Sequence, residues 1–114
     1  MKKIILDTSF ILSAVKKKIY FFEELFGDEI LIPVEVLNEL EGLKKSNATA
    51  EICLKILEKN NFKKIELKTK NTDAGIIEYS RKNPEVIVAT LDREIKNKTQ
   101  NKKLVIRGKK IEIV

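Results

Sequence analysis

The sequence predicts an α/β fold: a central, mainly parallel sheet of about five strands with helices on both faces. Three observations predict it. Short apolar runs alternate along the chain with longer segments of helical period. Val86-Ile87-Val88-Ala89 is continuously apolar, the pattern of a strand buried on both faces. No repeat, low-complexity stretch or linker interrupts the 114 residues, so one domain over 1–114 is expected.

The first strand is Ile4-Ile5-Leu6, ending in Asp7, and a helix capped by Thr8 or Ser9 follows, with Phe10, Ile11, Ala14 and Val15 inward. A short amphipathic segment, Tyr20 to Phe26, stops at Gly27. Glu29 to Ile32 is the second strand. Pro33 suits the first turn of the next helix, whose apolar stripe is Val36, Leu37, Leu40 and Leu43. Ser46 or Asn47 caps a helix over roughly 48–59. A third strand is expected around Lys64 to Leu67, then a helix capped by Thr72 and stopped at Asn83-Pro84. Glu85 to Thr90 is the fourth strand, followed by a charged helix, Arg93 to Lys98, and a fifth strand, Leu104 to Ile106. Arg107-Gly108-Lys109 turns the chain into an apolar tail, Ile111 to Val114.

Composition narrows the chemistry. The chain has no His and one Cys, so it cannot build a Ser-His-Asp triad, a Cys-His dyad or an ordinary zinc site. Cys53 lacks an intrachain disulfide partner and lies in an apolar helical stretch, which fits a buried thiol in a reducing cytoplasm. Met1-Lys2-Lys3 followed by apolar residues imitates a signal peptide. Asp7 interrupts that run and Lys16 to Lys18 replace a cleavage site, so a soluble, cytoplasmic protein is expected. The net charge of +6 favours a polyanionic partner; the competing explanation is a solvated Lys/Glu surface. Five of the seven aromatic residues lie between Phe10 and Phe26; core packing competes there with a base-stacking or dimer surface.

Carboxylates carry the remaining chemistry. Asp7 and Asp92 each follow an apolar strand, and adjacent strands at a topological switch point would bring them together. Asp73 opens the helix before the Asp92 strand, and Glu39 lies on the helix after the second strand. Each has an ordinary alternative: helix-dipole acid for Asp73, turn or cap residue for Asp92, solvated glutamate for Glu39. Asp7 is harder to dismiss, because an acid beside a buried strand is costly without a purpose. Clustered carboxylates need a cation, and an all-oxygen set suits Mg²⁺ or Mn²⁺. Lys44, Lys45, Lys68, Lys70 and Lys96 flank the acidic elements and are the candidates for holding a nucleic-acid backbone.

Ile5-Leu6-Asp7-Thr8-Ser9, Pro33 through Glu39-Leu40, Thr72-Asp73 and Val88-Ala89-Thr90-Leu91-Asp92, taken in this order and spacing, resemble the PIN domain family of metal-dependent nucleases. Val105 to Lys110 is most similar to the branch related to ribosomal-RNA processing nucleases. The resemblance covers nearly the whole chain and implies a PIN-like three-layer α/β/α sandwich. It implies that Asp7, Glu39, Asp73 and Asp92 bind Mg²⁺ or Mn²⁺ and hydrolyse RNA to 5′-phosphate and 3′-hydroxyl ends. Thr90 would be the hydroxyl that orients a carboxylate or a water. Ala74 stands where many relatives carry a further acid, and Glu94 is the candidate to replace it in the metal site. The zinc-binding appendage of some relatives is missing.

The expected function is an endoribonuclease of RNA processing, rRNA included, or turnover. The alternatives are the toxin of a toxin–antitoxin pair and an inactive RNA-binding module, which the presence of all four acids disfavours. An aspartyl-phosphate phosphatase wants Asp-x-Asp, and Ser9 occupies the second Asp position. RNA is the expected partner, with no membrane; a homodimer, an antitoxin and a ribosome-assembly protein are the candidate protein partners.

Overall fold

The computed structural model describes residues 1–114. In chain order it has β1 (Lys3–Leu6), α1 (Thr8–Lys16), α2 (Phe21–Glu24), β2 (Glu29–Pro33), α3 (Val34–Leu43) and α4 (Ala48–Glu58). Then come β3 (Lys63–Ile65), α5 (Thr72–Lys82), β4 (Ile87–Ala89), α6 (Arg93–Lys98), β5 (Lys103–Arg107) and β6 (Lys110–Ile113). One sheet runs in the order β3-β2-β1-β4-β5-β6. All pairings are parallel except β5 with β6. The chain steps outward from β1 through β2 to β3, then returns to the other side of β1 for β4 and β5. Right-handed crossovers place the two sets of helices on opposite faces. Accordingly α1, α3 and α4 pack on one another, and α5 packs on α6.

The predicted three-layer α/β/α architecture is observed, with β1 central beside β4. Ile4, Ile5, Leu6 and Val88 are fully buried between the layers. Burying each such side chain contributes about 1.5–3 kcal/mol. Phe10 and Phe21 meet edge to face at 5.9 Å in the core, whereas Tyr20 and Phe26 stay exposed. Cys53 is buried beside the Ile11 carbonyl, and burial pushes its thiol up to about 11. No helix is long and apolar enough to cross a membrane.

Several expectations are corrected. The sheet has six strands, because the apolar tail folds back antiparallel onto β5, with Val105 opposite Glu112. Gly108, at φ +62°, supplies the left-handed turn residue that this hairpin needs. The expected third strand, 64–67, ends at Ile65: Leu67 and Lys68 turn their N–H groups to the Glu35 carboxylate, at 3.2 and 3.0 Å, instead of continuing along β2. The fourth strand is trimmed to Ile87–Ala89 because Val86 N–H closes a turn onto Asn83 and the Thr90 hydroxyl is drawn to Asp7. Helix caps also shift by one residue. Asp7, not Thr8 or Ser9, caps α1; Asn71, not Thr72, caps α5. Asn47 caps α4.

Candidate active site

The chain leaves β1 and β4 in opposite directions, which opens a crevice at the carboxyl edge of the sheet. Asp7 forms its floor. Its N–H donates to the Ala89 carbonyl at 2.9 Å, which locks it to β4. It is 4% exposed, and burying a carboxylate is costly unless it is hydrogen-bonded. Here Oδ1 accepts from Thr8 N–H at 2.8 Å, while Oδ2 accepts from the Ser9 hydroxyl at 3.0 Å and the Thr90 hydroxyl at 2.7 Å. The same hydroxyls hold the segment after β4. Ser9 Oγ accepts from Leu91 N–H, and Thr90 Oγ1 accepts from Asp92 N–H, each at 3.0 Å.

Three further acids face this floor. Asp92 caps α6, its Oδ1 accepting from Glu94 N–H at 2.8 Å and Ile95 N–H at 3.2 Å. Glu39 reaches over from α3, and its Oε1 accepts from the Thr8 hydroxyl at 2.6 Å. Asp73 stands in the first turn of α5. Burial pushes its carboxyl above the usual range, and the charges of Asp7, Asp92, Glu39 and Glu94 push it further. Four acids from other elements thus act on one carboxylate. The upward direction means that burial and repulsion outweigh the favourable α5 dipole. In chelator at pH 7, Asp73→Asn is expected to raise the melting temperature by a few degrees; an unchanged or lowered value contradicts the repulsion.

The donor set fits a hard divalent cation. Every ligand candidate is a carboxylate oxygen, and no basic side chain is paired with Asp7, Glu39, Asp73 or Asp92. A carboxylate offers about four acceptor positions. Asp7 uses three; Asp92 Oδ2, Glu39 Oε2 and both Asp73 oxygens carry no hydrogen bond. No three of the acids stand close enough together to enclose an ion. Glu94 is ion-paired with Lys98 at 3.3 Å on the exposed side of α6.

The lysines are spread unevenly. Lys68 and Lys70 lie on the β3–α5 connection, at the same sheet edge as Asp7. Lys96 is half-buried in α6. Lys44 and Lys45 follow the far end of α3, about 15 Å from its start, and Lys44 is engaged by Glu41.

Glu35, which no sequence motif singles out, is a positioning group. Burial raises its carboxyl, but the N–H groups of Glu35 itself, Leu67, Lys68 and Thr69 together outweigh that and hold it below the usual value. It thereby fixes a loop in which Lys68 has φ +57°. Thr69 Oγ1 donates to the Asn71 carbonyl, and the Asn71 side chain accepts from Ala74 N–H, so the chain of bonds ends beside Asp73. Gly75 lets the loop sit close, since a Cβ there would lie 2.4 Å from Thr69 Cγ2. Because the folded-state pKa is depressed, this stabilisation is complete above the unfolded value and is lost as pH falls through the folded one. Glu35→Gln is expected to cost about 1 kcal/mol at pH 7 after solvent screening. The difference in urea midpoint from wild type should shrink as pH falls below the ordinary carboxylate range; a cost that persists in strong acid contradicts the role.

Thr8 and Ser9 were also misjudged, as caps. The signal was available: an acid directly before a hydroxyl pair can take the cap itself and free both hydroxyls. A separate cavity of about 550 Å³, walled by Ile19, Tyr20, Phe21, Phe22, Ile52 and Ile56, contains none of the four acids.

Three similarities to known proteins bear on this site. Residues 4–109 match the family described as "PIN like domain". The chain is similar to Ribonuclease VapC4 of Methanocaldococcus jannaschii, 32% identical over 123 residues, covering 96% of this chain and 94% of that one. It is also similar in structure to the PIN domain endonuclease Utp24, with TM-score 0.83 and 25% identity, over 97% of this chain and 90% of that one.

Proposed function

Since this chain belongs to the PIN-like domain family, we propose that it is a divalent-metal-dependent endoribonuclease, one domain over residues 1–114, acting in RNA processing or turnover. The observation that carries the reading is geometric: the Thr90 hydroxyl donates to the Asp7 carboxylate and accepts from Asp92 N–H, and the Thr8 hydroxyl next to Asp7 donates to Glu39, so acids from three elements meet at the carboxyl edge of the sheet. The names of the two relatives, a ribonuclease and an endonuclease, support the reaction class. The intact acid set argues against an inactive binding module.

In this proposal Asp7, Glu39, Asp73 and Asp92 hold Mg²⁺ or Mn²⁺, with Glu94 at the periphery. The ion, when bound, supplies an activated water and neutralises charge on the leaving oxygen. The chain's own residues supply placement. Thr90 and Ser9 fix the Asp7 carboxylate through its Oδ2, and loss of such supporting bonds typically costs 10–100-fold in affinity or activity. Thr8 fixes Glu39 in the same way. Lys68 and Lys70, at the sheet edge, are placed to meet phosphates flanking the scissile one. The products are 5′-phosphate and 3′-hydroxyl ends.

The test uses labelled RNA and DNA oligonucleotides with Mg²⁺ or Mn²⁺, with and without chelator. Internal cleavage of RNA that stops on chelation is the expected result. Cleavage that survives chelation, or no cleavage of any RNA, overturns the reading.

A further inference from the structure

Asp73, Ile77 and Arg81 recur every four residues along α5, and Glu94 and Lys98 do the same on α6. The two helices pack together, and a cavity of about 550 Å³ lies between these rows, lined at one end by Asp73 and Glu94 and at the other by Arg81 and Lys98. A second cavity, of about 720 Å³, continues from it. It shares Arg81 and Lys98 and adds Pro84, Asn97 and Gln100. The pair forms one polar groove, acidic where it meets the candidate active site and basic beyond. Eight residues of helix separate Asp73 from Arg81, about 12 Å.

Arg81 lies in the last turn of α5, where its charge suits the helix dipole but no side chain pairs with it. It is exposed and in no ion pair. Lys98 is held only by its exposed pair with Glu94, which is weak enough to exchange for another anion. Beside them, the Ser80 hydroxyl is buried without a hydrogen-bond partner and lies in the wall of the second cavity. The Asn101 amide in that wall is already committed to backbone carbonyls.

We infer that the groove between α5 and α6 is a subsite for a single RNA strand next to the scissile bond, with Arg81 as its principal phosphate ligand and Lys98 as the second. This rests on the ribonuclease reading. A phosphodiester approaching the acids is repelled by them, and cations about two phosphates further along offset that repulsion. A guanidinium grips two phosphate oxygens at once, which a lysine cannot do. Asn97 and Gln100 line the path of the nucleotide beyond. A groove between two packed helices admits one strand.

The test measures binding of single-stranded RNA oligonucleotides of increasing length to the full chain in chelator, over a range of salt. Arg81→Ala is expected to weaken binding of the longer strands roughly tenfold and to flatten the slope of log affinity against log salt by about 1. The gain in affinity on lengthening the strand should vanish in Arg81→Glu and return in part in Arg81→Lys. Arg81 is exposed, so melting curves of Arg81→Ala and Arg81→Lys should stay close to wild type, and Arg81→Glu, an anion in the last turn of α5, should remain folded with a slightly lower melting temperature. Arg81→Glu that binds like wild type, with the same salt slope, overturns the groove and leaves the ribonuclease reading standing. Wild type that binds no RNA at low salt also overturns the groove, while the ribonuclease reading stands or falls on the cleavage assay.

Discussion

Asp7→Asn should reduce RNA cleavage about 10³-fold or more while the protein remains folded. The size of the loss follows from what the substitution removes: the one carboxylate fixed on both sides, by the backbone bond to Ala89 and by the Ser9 and Thr90 hydroxyls. The survival of the fold follows from what it keeps. The Asn carbonyl can still accept from Thr8 N–H and cap α1, and its NH₂ can donate to the Thr90 hydroxyl, which rotates to accept. One negative charge fewer beside Asp73 also removes part of the repulsion there. Cleavage rates with Mg²⁺ or Mn²⁺ and melting curves in chelator, run on wild type and variant together, check both halves. Equal cleavage by the two proteins would end the metal-nuclease reading. Lost cleavage accompanied by unfolding would show that the substitution acts through the α1 cap.

Asn101→Ala should have the largest effect on stability of any polar substitution outside the acid cluster, about 3 kcal/mol. The Asn101 side chain is buried, and its NH₂ is shared among the carbonyls of Ser80, Asn83 and Val86 at 3.0, 3.0 and 2.8 Å. Those carbonyls belong to the end of α5 and the approach to β4, so one amide ties both to the entrance of β5. Ser80 and Asn83 carbonyls have other partners in Asn83 N–H and Val86 N–H, which limits the loss. Asn101→Asp should be worse at neutral pH, because a buried carboxylate would face carbonyl oxygens. Protonation restores a donor, so its deficit should shrink as pH falls toward 4. Urea midpoints at pH 7 and pH 4 measure this. An Asp variant equally destabilised at both, or an Ala variant within 0.5 kcal/mol of wild type, the ordinary range of surface changes, contradicts the role.

What the sequence determined by itself was the alternation and its consequences. Apolar runs such as Val86 to Ala89 can only be central strands, and helices between them force parallel order with the β1 and β4 ends adjacent. Asp7 and Asp92, each directly after such a run, were therefore legible as neighbours at the carboxyl edge. The absence of His and the single Cys confine the chemistry to oxygen ligands. What only the tertiary structure decided was the partner of each polar group. Thr8, Ser9 and Asp7 are all competent caps by local propensity; Asp7 takes the cap, and that leaves the hydroxyls to bind Glu39 and Leu91 from distant elements. Glu35 looks like any helix glutamate until the loop at Leu67 arrives to be bound, and that same encounter ends β3 early. Asn101 and Arg81 are equally silent in the sequence, one consumed by carbonyls it meets only in the fold, the other left unpaired beside a groove. Local sequence states which donors and acceptors exist, whereas a hydrogen bond forms with whichever partner comes within about 3 Å in the proper direction, and that distance is set by packing.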